Sequence, residues 1–282
     1  MQKLEVFQSL WAMEQRHPEK PERSLEESFA MIAEAGYHGV CLDLDAEGID
    51  DALQSKPLFD KYNLKAMANG FPSKMKDMKT IIATAKEFNC VTLNIISGVM
   101  PVSVAGAIPV IYRWMEEAEQ AGMPLTFETH REGILNDLYY TLEVIDAIPE
   151  LRICADLSHF VLDREFVAPI SSRDQGYINR VMDRADSFQG RIASREQIQV
   201  QIDFPQHQQW VEIFKGWWKD GMREWRKRNP NDATLIFLCE LGPPPYAITD
   251  ANQLELSDRW QEALTIKSWA EDIWQELEQE DA

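Results

Sequence analysis

The 282-residue sequence predicts an α/β protein folded as a single (β/α)8 TIM barrel over residues 1–282, on three observations. Short apolar runs alternate with amphipathic segments of helical period from one end to the other. These strand-then-helix units number eight, the count at which a parallel sheet with right-handed crossovers closes on itself. The length suits the roughly 250 residues of such a barrel, and 45% hydrophobic residues provide for a large core. An open doubly wound sheet is the competitor, but no GxGxxG follows the first strand to support it.

The first strand falls at 4–11 (LEVFQSLW), and the helix after it, SLEESFAMIAEAG, has Ser24 to cap its start and Gly36 to end it. The second strand is 39–45 (GVCLDLD) with a helix at 50–62, the third 64–71 (LKAMANGF) with a helix at 73–88. The fourth is 90–97 (CVTLNIIS), before a helix at 103–121, and the fifth 124–130 (PLTFETH), before one at 135–147. Strand six, 151–157 (LRICADL), leads through a loop at 158–170 to a helix at 171–185. Strand seven, 187–193 (SFQGRIA), leads through 194–205 to a helix at 206–228. Strand eight, 234–241 (TLIFLCEL), leads through GPPPYAITDANQLE at 242–255 to a last helix at 257–278. Connections after strands one to five read as mostly short and those after six, seven and eight as long. Loops that follow strands form the catalytic face of this architecture, so the second half of the barrel should supply most of the mouth.

A formal charge of −19 argues against a nucleic-acid partner, since a phosphate backbone rewards clustered Lys and Arg. The basic stretch REWRKR at 223–228 reads as the solvated end of a helix. The opening MQKLEVFQSL has no long apolar core and no window approaches a membrane span, so no membrane partner and a cytoplasmic location are expected. Cys41, Cys90, Cys154 and Cys239 lie far apart in apolar runs without CxxC spacing, and read as buried free thiols. Trp210, Trp217, Trp218, Trp225, Trp260, Trp269 and Trp274 recur at helical spacing, which fits packing against the barrel wall. A homo-oligomer interface is the alternative.

The strand ends carry the chemistry. Strand five ends in Glu128, six in Asp156, seven in Gln189 and eight in Glu240, each behind an apolar run. A lone acid at such a place is usually a helix cap or a surface charge. Charges at the ends of apolar runs face a dry interior, however, and three carboxylates converging on one mouth repel each other unless a cation compensates. Gln189 and Arg191 share a strand face by alternation.

TFETHREG, CADLSHF and LCELGPPPY resemble the strand ends of the xylose isomerase-like TIM barrels, the sugar-phosphate isomerase/epimerase superfamily, over nearly the whole chain. The resemblance implies a divalent metal held by Glu128, Asp156, Gln189 and Glu240, with Glu128 and Glu240 as the catalytic acid/base pair. It departs at strand seven, where such proteins usually show His-x-Arg and this chain shows Gln189-Gly190-Arg191. An all-oxygen ligand set favours Mg or Mn, with Zn or Co as alternatives. Three negative charges around a divalent ion leave an excess of one, so one glutamate is expected to keep a proton. His130 and His159, two and three residues beyond proposed ligands, are expected to touch substrate, as are Arg191 and Asn94; His207 reads as a helix-start residue.

The implied activity is isomerisation or epimerisation of a small carbohydrate, a sugar, sugar phosphate or related keto or hydroxy acid, through an enediolate. Alternatives are a lyase or dehydratase on the same site and a non-catalytic sugar-binding barrel. A DNA-repair endonuclease of the same fold, which needs a histidine-rich zinc site and a basic surface, is disfavoured by five histidines and the acidic balance.

Overall fold

A computed structural model describes residues 1–280. Eight parallel strands close into a barrel in sequence order. They are β1 (Lys3–Ser9), β2 (Gly39–Leu44), β3 (Lys65–Gly70), β4 (Leu93–Ile95), β5 (Leu125–Glu128), β6 (Ile153–Ala155), β7 (Ala185–Gly190) and β8 (Thr234–Cys239). Closure comes from β1 against β8, with Phe7 level with Leu238 and Gln8 with Cys239. The helices are α1 (Leu25–Glu34), α2 (Ile49–Leu53), α3 (Lys56–Tyr62), α4 (Asp77–Glu87), α5 (Val104–Ala121), α6 (Leu138–Ala147), α7 (Leu157–Asp163), α8 (Ser172–Met182), α9 (Gln208–Arg228) and α10 (Arg259–Glu280). Among the described residues no helix is long and apolar enough to cross a membrane.

Alternation along each strand divides its residues between two cores. Val40, Leu42, Leu93, Ile95, Phe127, Ile153, Phe188 and Phe237 point outward into the layer between strands and helices. Phe7, Cys41, Met67, Ile236 and Leu238 fill the barrel itself. The inner face therefore continues, two residues further along, into Asp43, Asn69 and Glu240, and polar groups begin where the apolar filling stops. All four cysteines are buried and free. Trp210, Trp217, Trp218, Trp225 and Trp274 are buried between helices and wall, while Trp260 and Trp269 are half-buried against the same core.

Local chemistry explains most element ends. Ser24 and Glu27 form a reciprocal capping box at α1, and Gly36 follows it at φ +71°, the left-handed region open to glycine. The single helix expected over 50–62 is two, α2 and α3, because Pro57 lacks the N–H that would continue the hydrogen bonds of α2, and it sits instead in the first turn of α3, where no such donor is needed. The loop expected at 158–170 begins instead as α7, whose first turn is capped by the Asp156 side chain, which accepts from Ser158 N. That cap also cuts β6 to three residues. The connection after β1 is longer than expected, running from Leu10 to Ser24 around a 3-10 turn at Trp11–Met13. Gly190 faces outward: a Cβ there would stand 2.6 Å from Phe237 Cε1 and 2.7 Å from Ile266 Cγ2, so its bare backbone lets α10 seat against β7.

Candidate active site at the barrel mouth

Each of the four ligand candidates reaches the mouth because its outward neighbour is anchored in the outer core. Phe127 turns Glu128 inward, Ala155 turns Asp156, and Phe188 turns Gln189. Glu240 continues the inner row of Ile236 and Leu238 on β8. All four are nearly inaccessible, at 1%, 0%, 1% and 4% exposure. Carboxylate oxygens of Glu128, Asp156 and Glu240 lie within 4.8 Å of one another.

A second layer of amides holds these groups. Asn94 Nδ2 donates to Glu128 Oε2 at 2.5 Å and to Asn69 Oδ1 at 2.9 Å, while Asn69 Nδ2 donates to Glu240 Oε1 at 2.9 Å. Asn94 Oδ1 accepts from Thr126 Oγ1 at 3.3 Å. Both amide hydrogens of Asn94 are thus used inside the ring, where the residue orients Glu128. Gln189 Nε2 donates to the same Glu128 oxygen at 2.6 Å. Asp156 divides its work: Oδ1 accepts from Ser158 N and Oγ at 3.0 and 2.5 Å, leaving Oδ2 toward the mouth. The cap reading and the site reading of this aspartate hold together, one for each oxygen.

Arg191 enters between the acids. Its Nη2 lies 2.5 Å from Glu240 Oε2 and its Nε 3.3 Å from Asp156 Oδ2. The guanidinium sits 4.8 Å from the Tyr246 ring centre and 5.9 Å from that of Trp11, two aromatic rings in edge contact over the mouth. Only 2% exposed, it still has Nε and Nη1 without an acceptor at hydrogen-bonding geometry. Arg191 offsets part of the negative charge of the three carboxylates: three ionised acids and one arginine leave two negative charges, and the upward shifts of Glu128 and Glu240 favour the proton expected on one glutamate.

Those two charges perturb the site. Burial, then Glu240 and Asp156, push the Glu128 carboxyl well above the usual carboxylate range. Burial raises Asp156 despite Arg191, and raises Glu240 to about 7 against the opposing pull of Arg191. Burial alone would lower the Arg191 guanidinium, but Asp156 and Glu240 outweigh it and raise it.

The acceptors left over suit a hard cation. Glu128 Oε1, Asp156 Oδ2 and Gln189 Oε1 are buried with no hydrogen-bond donor among the described residues. Each such orphan costs about 1–3 kcal/mol in a dry site. These oxygens, of which only Asp156 Oδ2 has a cation nearby, Arg191 Nε at 3.3 Å, lie beside Glu240 and fit a divalent cation. A second cluster, Glu128 with His130 and His159, also has ligand atoms within 4.8 Å. Its histidines are set up differently. His159 Nδ1 faces Arg131 Nη1 at 3.0 Å, and arginine can only donate, so Nδ1 accepts and Nε2 carries the hydrogen. His130 Nδ1 likewise accepts from Glu132 N at 3.1 Å. Burial, with the neighbouring arginines, lowers His130 to about 3, and burial with His130 and those arginines drives His159 well below its ordinary value. Both rings, 4.1 Å apart, are neutral Nε2–H donors, a form suited to hydroxyl oxygens and not to a metal.

Several mouth residues carry no clear mark in the sequence. Asn69, Tyr246, Trp11 and Arg131 surround the ring, and Asp43, in register with Asn69, is an exposed acid on the inner face. Asp43 has a sequence signal, standing two residues after Cys41 in GVCLDLD. Tyr246 and Trp11 come from loops and have none. His207, buried, bonds the Gln201 carbonyl at 2.8 Å at the end of a 3-10 turn and immediately before α9, as its helix-start reading anticipates.

The same architecture recurs in known structures. The D-allulose 3-epimerase of Methylomonas sp., also solved in complex with D-allulose, superimposes with a TM-score of 0.63 and 15% identity, covering 96% of this chain and 98% of that chain. The likeness is one of fold. A xylose isomerase-like TIM barrel protein from Mycobacterium smegmatis, in complex with magnesium, gives 0.59 and 10% over 94% of this chain and 97% of that one. An L-ribulose 3-epimerase gives 0.61 and 14% over 98% of each. No protein family matches the sequence as such, and no curated protein matches it closely.

Proposed function

We propose that this chain is a divalent-metal-dependent isomerase or epimerase that moves a proton beside the carbonyl of a sugar, with Glu128 and Glu240 as acid and base. The observation that carries the reading is the buried convergence of Glu128, Asp156 and Glu240 within 4.8 Å beside orphaned acceptor oxygens. Epimerases of D-allulose and L-ribulose built on the same fold, and a magnesium-bound relative in architecture, support it.

Glu128, Asp156, Gln189 and Glu240 would hold the metal. When bound, it would polarise the substrate carbonyl and stabilise charge developing on that oxygen. Glu128 is fixed through Oε2 by Asn94 and Gln189, and its carboxylate would take the proton of the carbon next to the carbonyl. The C–H electron pair moves into the carbon framework, giving an enediolate. Glu240 would return a proton from a second wall of the barrel. Return to the same carbon on its other face is epimerisation; return to the neighbouring carbon is isomerisation. The Nε2–H groups of His130 and His159 would orient substrate hydroxyls, and Arg191 Nη1, buried without an acceptor among the described residues, would be open to one as well.

The test is incubation of the protein, loaded with magnesium or manganese, with ketohexoses and ketopentoses in deuterated water, followed by NMR. Deuterium beside the carbonyl together with a new epimer or isomer is the expected result, slowed at least about a hundredfold in Glu128→Gln. Loss of water with an unsaturated product would assign a lyase instead. A second reading, a sugar-binding barrel without catalysis, is favoured by one feature: Arg191 already bridges Asp156 and Glu240. No exchange with any of these sugars, and no thermal shift on adding either metal, would support that reading over the first.

A further inference from the structure

Arg131 stands at the same mouth and is not accounted for by that chemistry. It follows β5 directly, is exposed, and makes no ion pair with a carboxylate among the described residues. In this acid-rich chain, 47 Asp and Glu against 28 Lys and Arg, such a state is uncommon. Arginines elsewhere in the connecting loops illustrate the usual outcome: Arg16 pairs with Glu14 at 2.8 Å, Arg195 with Glu165 at 2.9 Å and Arg164 with Asp137 at 3.3 Å.

Arg131 is nevertheless held in place. One Nη1 hydrogen goes to His159 Nδ1 at 3.0 Å, one Nη2 hydrogen to the Tyr246 hydroxyl at 3.3 Å, and the guanidinium lies 5.2 Å from the centre of the Tyr246 ring. A guanidinium has five N–H groups, so three remain for a ligand. The charge balance points the same way. Three acids, Arg191 and a divalent ion sum to zero, leaving Arg131 as the unmatched positive charge on this side of the ring. The exposed acid Asp43 is on β2, and β2 lies opposite β6 in an eight-strand ring closed in sequence order. The mouth is therefore polar across its width, cationic over β5 and β6 and acidic over β2.

We propose that Arg131 anchors a single carboxylate or phosphate group on the substrate, so that the substrate is an anionic sugar derivative whose charged end lies over β5 and β6 and whose hydroxyl end faces Asp43. The proposal rests on the isomerase reading of the site. Arg131 is a specificity-determining residue, binding the charged substituent through fork geometry that lysine cannot reproduce in full.

Calorimetric titration of the magnesium-loaded protein with a ketohexose, its 6-phosphate and the corresponding terminal carboxylic acid tests this. At least one anionic sugar should bind about tenfold to a hundredfold tighter than the neutral one, as expected of a charge-assisted contact. Arg131→Gln should abolish that preference and Arg131→Lys retain part of it; which anion binds tighter distinguishes phosphate from carboxylate. Equal binding of neutral and anionic sugars by the unaltered protein, or an equal loss for all three in Arg131→Gln, overturns the anchor. If no sugar binds, titration of the metal-free protein with inorganic phosphate and glycolate separates the two claims. Anion binding that disappears in Arg131→Gln keeps the anchor while the isomerase reading fails; no such binding removes both.

Discussion

Replacing Arg191 by methionine probes the charge balance of the site directly. The side chain is 2% exposed and contacts Asp156 and Glu240 at 3.3 and 2.5 Å, so methionine fills much of its volume while leaving two buried acids without their cation. Breaking a buried pair in this way costs about 3–5 kcal/mol. With an unfolding entropy of about 2.1 cal/mol/K per residue, 282 residues give about 0.6 kcal/mol/K, so Tm should fall by about 5–8 °C in the metal-free protein at pH 8. Two further readouts distinguish lost charge from lost packing. The deficit should shrink as the pH falls toward 5 and the acids protonate. Magnesium or manganese should raise Tm more in Arg191→Met than in the unaltered protein, since three negative charges attract the ion more than two. Differential scanning calorimetry of Arg191→Met at pH 5 and 8, with and without metal, measures all three. A loss below about 1 kcal/mol, or one indifferent to both pH and metal, would refute the charge argument.

Glu240 makes the metal-free fold sensitive to pH. Its carboxyl is raised from 4.5 to about 7, so the stability it contributes is fully present below about 4.5 and is lost as pH rises through about 7, on the order of 3 kcal/mol in all. Tm of the metal-free protein, compared with Glu240→Gln, should show that loss only where the glutamate is present. A bound divalent ion should reverse it above pH 7. Changing Gln189 to histidine supplies an imidazole where an amide oxygen now stands, and should tighten metal binding by titration calorimetry; unchanged affinity would remove Gln189 from the ligand set. Gly190→Ala would press a methyl group against Phe237 and Ile266, costing about 1–3 kcal/mol, or about 2–5 °C in Tm, and a neutral result would mean that α10 shifts freely.

Sequence reading reached the fold because each strand–helix unit carries its own periodicity, and the strand ends because a charge behind an apolar run is visible in one dimension. Asp156 shows where such reading stops. Its place at the end of ICA is legible, but its capping of α7 through one oxygen, with the other turned to the mouth, depends on backbone geometry. Asn94 is legible as a polar strand residue, but its bonds to Glu128 and Asn69 are not, because those partners lie 34 and 25 residues away. The break at Pro57 is readable from the proline itself, although the longer amphipathic pattern running across it points to one helix.

By itself the sequence determined the eight-unit barrel, the burial of the cysteines and the row of Glu128, Asp156, Gln189 and Glu240, since all of these follow from local pattern and strand alternation. Tertiary structure alone decided the charge state of the mouth. Arg191 and Gln189 leave the same strand face, yet one pairs with Asp156 and Glu240 while the other steadies Glu128, and only the lateral pairing of β7 with β6 and β8, and of β6 with β5, brings these partners within reach. Electrostatic energy depends on separations of a few ångströms in a medium of low polarisability, and such distances between residues 49 or 61 positions apart exist only once the strands are paired.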